Sequence, residues 1–219
     1  MVDAGQEQGS ANAGIACWDG ASAQSLMQAL LSPAADCIES GVTAPGPARR
    51  NASCRRLGMT VTAQSVYRYP VAKVFARALQ IRLDLSLEIH ERVLTALQEA
   101  MINAMLHGNL GLDSGPRNDL EGLAASHCVI AARFSSEYSA RSLIRVQATW
   151  TRTRLRVVVR DSGDGFSRNE LPSVDERLAA ARPGSGRGLM ILEALCDHIG
   201  IQRRGTVIAL NFVLPGVET

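Results

Sequence analysis

Three polar side chains share one face of a long predicted helix. Glu99, Asn103 and His107 stand four residues apart, so they line up on a helix whose other positions are largely apolar. A carboxylate can act as a general base. An amide oxygen is a ligand that Mg²⁺ accepts together with substrate phosphates. The stripe indicates either a catalytic cleft or a solvated face on which a Glu–Asn pair is satisfied by loop backbone.

A second carboxylate ends an apolar row. Side chains alternate along a strand, so Asp161 continues the inward-facing row that contains Val157 and Val159. Gly163 and Gly165 follow, and glycines let the backbone approach a ligand closely. A buried acceptor beside an apolar slot suits a base with an exocyclic amine, such as adenine. The alternative is a hairpin-exit turn in which Asp161 only caps the next segment.

A glycine cluster precedes the last predicted helix. Its residues are Gly184, Ser185, Gly186, Arg187, Gly188 and Leu189. Backbone N–H groups at a helix start form an anion site, to which an arginine adds charge. The spacing does not fit the dinucleotide-binding fingerprint, and a flexible loop with a helix cap is the alternative. Further on, Thr206 follows a glycine in a predicted turn before the last strand.

These residues are positioned by a predicted α+β fold, a two-layer sandwich with helices on one face of a mostly antiparallel sheet. The predicted strands are 57–61, 143–149, 154–161, 199–203 and 206–214. The predicted helices are 65–81, 86 to about 106, 120–137 and 188–198, with Pro70 early in the first, Ser86 as N-cap of the second and Gly108 as its stop. Residues 111–118 and 162–185 are predicted loops, the latter with a helical turn near 174–181.

The N-terminal quarter of the chain differs in composition from the rest. Residues 1–53 are rich in Ala, Gly and Ser and end in a Pro/Gly cluster typical of a linker. We expect an extension that is either disordered or a docking arm, with a short helix over 23–32. The main domain is predicted over 54–219.

Composition excludes several classes of protein. The formal charge is +2, and the 23 basic residues comprise 22 arginines and Lys73, so a Walker A loop is absent. The five cysteines form no Cys-x-x-Cys pair, and the four histidines show no metal-ligand spacing. We interpret the arginine-rich hairpin as a solvated sheet face rather than a nucleic-acid site. Neither a membrane span nor a secretory signal is visible, so cytoplasm is the default.

The motifs occur in one order: Glu99-x-x-x-Asn103, Asp161-x-Gly163-x-Gly165, the glycines at 184, 186 and 188, and Gly205-Thr206. Together they resemble the N, G1, G2 and G3 boxes of the GHKL ATPase superfamily, which has the Bergerat ATP-binding fold. The resemblance covers roughly residues 54–214. Because a glutamate precedes the asparagine in a short chain, the string 99–109 is most similar to the bacterial anti-sigma-factor serine/threonine kinases.

The resemblance implies a role for each position. ATP and Mg²⁺ are the implied ligands, with Asn103 as the Mg²⁺ ligand and Asp161 as the acceptor of the adenine amine. Glu99 resembles the residue that orients or deprotonates the attacking hydroxyl. The other implied nucleotide contacts are His107, Gly163, Gly165, Gly184, Ser185, Gly186, Arg187, Gly188, Leu189 and Thr206, with an ATP lid over about 167–186.

The resemblance also implies partners. One is a STAS-type anti-sigma-factor antagonist, phosphorylated on Ser or Thr, and the other is a sigma factor or related target. A homodimer is expected. Binding to nucleic acid or to a membrane is not expected. Two alternatives stay open. One is a nucleotide-gated protein-binding module with little or no phosphotransfer. The other is a detached histidine-kinase-like catalytic domain, which Glu99 disfavours.

Overall fold

The computed structural model describes residues 14–43, 55–112, 120–135, 142–165 and 187–215. Its strands are β1 (Ile15–Trp18), β2 (Asp36–Glu39), β3 (Arg55–Thr62), β4 (Leu143–Trp150), β5 (Arg154–Arg160), β6 (His198–Gln202) and β7 (Val207–Val213). Its α-helices are α1 (Ala23–Leu31), α2 (Ala63–Arg68), α3 (Val71–Leu83), α4 (Leu87–Asn103), α5 (Leu120–Phe134) and α6 (Arg187–Leu195). A π-helical turn, Ala104–Asn109, continues α4.

The strands form one seven-stranded sheet in the order β1-β2-β3-β4-β5-β7-β6. The β1–β2 and β2–β3 pairs are parallel, and the other four pairs are antiparallel. Side chains of β4 alternate strictly between buried and half-buried, because one face packs on helices. The predicted α+β sandwich with helices on one face of a mostly antiparallel sheet is thereby confirmed, as is the β4–β5 hairpin.

Two predicted helix bounds were wrong. The helix expected over 65–81 is two helices, because Tyr69 adopts an extended conformation (φ −123°, ψ 151°) before Pro70, as the proline ring requires of the residue before it. Nor does Gly108 stop the following helix. The backbone widens into the π turn and continues to Asn109. Ser86 caps α4 as predicted, its hydroxyl accepting from the N–H of Ile89.

The described part of the N-terminal segment belongs to the sheet. β1, α1 and β2 form a parallel strand–helix–strand unit, and β2 pairs with β3 from Asp36↔Gly58 to Ile38↔Thr60. The helix expected over 23–32 is α1. For residues 14–43 the expectation of a disordered extension is wrong, because their apolar side chains join the common core. The sheet is continuous across the expected domain boundary at residue 54, and residues 1–13 and 44–54 lie outside the described ranges.

Partly buried polar contacts fix this unit on the rest of the domain. The Glu39 carboxylate accepts from the backbone N–H of Thr62 (2.8 Å) and from the hydroxyl of Ser65 (2.8 Å), at the start of α2. The Arg82 guanidinium donates to the carbonyls of Leu30 and Ser32, which lie at the C-terminal end of α1. Carbonyls at that end have no partner inside the helix, so α3 supplies their donor.

Candidate functional site

The Glu99–Asn103 stripe faces the first turn of α6. Both side chains are half-buried on α4. A Cβ added to Gly188 would overlap Oε1 of Glu99 and would lie 3.0 Å from Nδ2 of Asn103. A side chain at position 188 would require Glu99 to move, so two of the predicted boxes meet in space. The Glu99 carboxylate therefore lies beside a helix N-terminus, where the backbone dipoles favour negative charge.

Asp161 is the centre of a second close contact. It follows β5 on the helix-facing side of the sheet, and its Oδ1 accepts from the N–H of Gly163 (2.9 Å). A Cβ on Gly108 would lie 2.7 Å from each carboxylate oxygen, and a Cβ on Gly163 would overlap the Gly108 carbonyl oxygen. The π turn and the loop after β5 are thus in contact through glycines.

Burial changes the ionisation of Asp161. Desolvation raises the pKa of its carboxyl to about 6, although the N–H of Gly163 opposes the shift by stabilising the carboxylate. The carboxylate is ionised at neutral pH and can accept a further hydrogen bond from a ligand. Perturbed carboxyls of this kind are frequent at functional sites.

The turn before β7 supports the same loop. The carbonyl of Thr206 accepts from the backbone N–H of Asp161 (3.1 Å), and the hydroxyl of Thr206 donates to the Arg203 carbonyl (3.0 Å). Gly165 has φ +73°, and a Cβ there would overlap the Arg204 carbonyl. The predicted Thr206 and Gly165 therefore lie with Asp161 at one end of the sheet.

Asn109 is a site residue that sequence reasoning missed. Its Oδ1 accepts from the N–H of Ser162 (2.9 Å), and its Nδ2 donates to the carbonyl of Leu143 (3.3 Å). One amide thus ties the end of the π turn to the loop after Asp161. The available signal was the position of Asn109 at the end of the string 99–109, which carries the family resemblance but gave this residue no role.

The remaining predicted residues have varied outcomes. His107 is exposed, and its Nδ1 donates to the carbonyl of Leu112; a role in nucleotide binding stays a prediction. Leu189 is half-buried in α6. Gly184, Ser185 and Gly186 lie outside the described residues, as do the predicted lid and the side chain of Arg187.

The oxygen ligands that the site offers suit a hard cation. Asn103 offers an amide oxygen and Glu99 a carboxylate, four residues apart on one helix, and Mg²⁺ prefers oxygen ligands and few protein donors. Among the described ranges, no group of three or more His, Cys, Asp or Glu side chains could hold a metal ion by itself. The arrangement fits a cation that relies on a phosphate for its other ligands. Asn103 would hold it.

The site therefore has two ends. Asp161 presents an ionised acceptor beside glycine backbone at one end, and Glu99 and Asn103 present oxygen donors under a helix N-terminus at the other. An acceptor for an amine and a region suited to phosphate and a cation define a nucleotide-binding domain.

The family follows from comparison with known proteins. Residues 61–212 match the family described as a histidine kinase-like ATPase domain, and this chain belongs to that family. It is a GHKL-type ATPase domain, and such domains bind ATP, typically with Mg²⁺. No curated protein matches the chain. In the described part of the chain, no helix is both long and apolar enough to span a membrane.

Proposed function

We propose that this protein is an ATP-dependent serine/threonine kinase of the anti-sigma-factor type. It phosphorylates a STAS-type antagonist and binds a sigma factor or a related regulatory protein in the cytoplasm. The observation that carries the proposal is the contact of Gly188 with both Glu99 and Asn103. That contact puts a carboxylate next to the region suited to phosphate, where a kinase needs its base.

The proposed step is a phosphoryl transfer. The hydroxyl oxygen of the target Ser or Thr forms a bond to the γ-phosphorus of ATP, the bond from that phosphorus to the β–γ bridging oxygen breaks, and ADP leaves. Glu99 takes the hydroxyl proton. When bound, Mg²⁺ would neutralise phosphate charge, and Asn103 would hold it. Such reactions depend mainly on positioning and charge neutralisation, and a general base adds typically 10²–10⁴-fold.

The adenine end would select the nucleotide. Asp161 accepts the exocyclic amine, while Gly108 and Gly163 let the π turn and the loop after β5 come close to each other and to this carboxylate. Oδ1 of Asp161 already accepts from Gly163, so the second carboxylate oxygen would take the amine. A guanine base presents a carbonyl at the equivalent position and would leave that oxygen without a donor.

The test uses radiolabelled ATP, Mg²⁺ and STAS-domain proteins from the same organism. We expect label on a Ser or Thr of one of them, and a loss of about 10²-fold or more in Glu99→Gln with ATP affinity retained. Label transferred at the same rate by Glu99→Gln would contradict the assignment of the base. Label on a histidine would indicate a histidine-kinase catalytic domain instead. ATP binding without transfer to any of them would favour a nucleotide-gated binding module.

A further inference from the structure

The sheet face opposite the nucleotide site carries a group of arginines. Residues paired directly across neighbouring strands point to the same side of a sheet. By this rule the half-buried and exposed positions of β4 and β5, together with Arg56 of β3, form one surface away from α3 and α4. We call the following set the arginine face: Arg56, Arg145, Arg154, Arg156 and Arg160.

Two of these arginines stand directly opposite one another. Arg145 pairs with Arg160 across the β4–β5 ladder. Like charges at such positions destabilise a sheet. Desolvation and the charge of Arg160 both lower the pKa of Arg145. Within the described ranges, Nε of Arg160 is buried without a hydrogen-bond partner. Arg145 and Arg160 therefore form a positively charged site in which the two charges repel each other.

Carboxylates are scarce on this face. Among the described strands, Asp36 of β2 is the acidic residue on this side, and it already pairs with Arg56. In the described part of the chain, Arg145, Arg154, Arg156 and Arg160 form no ion pair. No carboxylate of the described residues therefore pairs with these four guanidinium groups.

The chemistry of the face favours a protein partner. The described strands place no Phe, Tyr or Trp on this side, so the stacking platforms that single-stranded nucleic acids use are missing. Arginine forks match carboxylates bidentately. Three neighbouring strands about 4.8 Å apart carry the arginine face, which is therefore a strip roughly 10 Å wide and roughly 25 Å long. A strip of that width suits one extended acidic segment.

We propose that the arginine face is a docking surface for an acidic segment of a protein partner, and that Arg145 and Arg160 together hold one of its carboxylates. The bound carboxylate places a negative charge between two guanidinium groups and so removes their repulsion. This surface lies across the sheet from Asp161 and Glu99, so docking does not occupy the nucleotide site. It stands independently of the proposed kinase activity.

The test measures binding of a fluorescent poly-glutamate peptide to the full chain by anisotropy. We expect Arg145→Gln/Arg160→Gln to weaken binding by at least about fivefold, because it removes both guanidinium groups that hold one carboxylate. The matched control is Arg68→Gln/Arg77→Gln, which removes the same charge from the exposed surface of α2 and α3. Binding should weaken with salt. An equal loss in the control, or no binding at low salt, would overturn the proposal.

Further measurements distinguish a protein partner from DNA or a membrane and test whether the two arginines share one carboxylate. Tighter binding to duplex DNA or to anionic vesicles of equal charge than to the peptide would overturn the choice of a protein. Arg145→Lys/Arg160→Lys keeps the charge but loses the planar fork, and we expect it to weaken peptide binding at least about twofold; unchanged binding would overturn the shared-carboxylate geometry. Arg145→Gln/Arg160→Gln should melt no lower than the wild type, because it relieves a repulsion, and should keep the ATP affinity of the wild type, because the change lies away from the nucleotide site.

Discussion

The α-carbon of Gly108 lies against the carboxylate of Asp161, with the two carboxylate oxygens each 2.7 Å from where a Cβ of residue 108 would be. Gly108 belongs to the π turn after α4, and Asp161 follows β5. A helix end and a strand end more than fifty residues apart therefore form one wall of the nucleotide site. π turns are frequent at functional sites, and here the turn brings backbone rather than a side chain to the acid.

The substitution Gly108→Ala tests whether Asp161 accepts the adenine amine. The added methyl group would displace the Asp161 carboxylate, so we expect ATP affinity to fall at least about tenfold in calorimetry, which corresponds to about 1.4 kcal/mol. The matched control is Gly200→Ala on β6, where a Cβ meets its nearest atom, Cβ of Ala209, at an ordinary 3.6 Å. If Gly108→Ala binds ATP like the wild type, Asp161 is not the base acceptor.

The contact between Gly188 and Glu99 predicts a rescue. Gly188→Ala would push Glu99 and Asn103 aside, lowering both ATP–Mg²⁺ affinity and phosphotransfer. Adding Glu99→Ala makes room for the new methyl group. We therefore expect the double variant to recover most of the ATP affinity in calorimetry but none of the transfer activity. Failure to recover affinity would show that Gly188 matters for its backbone and not for its closeness to Glu99.

The raised pKa of Asp161, about 6, predicts a pH dependence of ATP affinity. An amine donates a stronger hydrogen bond to the ionised carboxylate, so affinity should be constant above about pH 6 and fall as the pH drops below it. ATP phosphates also titrate. The control ligand is therefore the purine nucleoside triphosphate that lacks the amine, whose profile reports the phosphates alone. Identical profiles for the two ligands would contradict an amine–Asp161 bond.

The same pKa predicts how Asp161 affects the free protein. Its folded pKa is raised above the ordinary value of 3.8, so the folded state binds more protons than the unfolded state between about pH 4 and pH 6. Stability from this group is thus lost as the pH rises through that window. In thermal melts Asp161→Asn should be at least as stable as the wild type at pH 7.5, with its advantage shrinking towards pH 4. A large loss at pH 7.5 would indicate a structural role instead.

The N-terminal unit is predicted to unfold with the rest of the domain. Trp18 is 1% exposed, donates from Nε1 to the Ser22 carbonyl and packs edge-on against Tyr69 at 5.6 Å. We expect Trp18→Ala to lower the free energy of unfolding by about 3–5 kcal/mol in urea. The neighbouring Ile15 is 59% exposed, so Ile15→Ala should change it by less than about 0.5 kcal/mol. A separate early transition in Trp18→Ala would mean that the unit folds independently.

The sequence alone predicted which nearby side chains share a face of a helix or strand, because their spacing along the chain fixes that. A four-residue interval fixes Glu99 and Asn103 on one face of a helix, and alternation fixes Asp161 on the inner side of β5, whatever else the chain does. The cap at Ser86 and the β4–β5 hairpin follow from equally local signals. Composition, in contrast, misjudged residues 14–43. Their small residues predicted a loose extension, but Trp18, Leu26 and Leu30 bury themselves in the shared core.

Only tertiary structure decided which distant residues meet. The closeness of Gly188 to Glu99, of Gly108 to Asp161 and of Asn109 to Ser162 depends on how α4, α6 and the sheet pack, and no local pattern encodes that distance. The same holds for Arg145 opposite Arg160, since strand register is set by the burial of the other face. The sequence by itself determined which side chains can donate or accept a hydrogen bond and which can act as a general base. Packing decided that these residues lie together in one candidate nucleotide site, with the arginine face on the other side of the sheet.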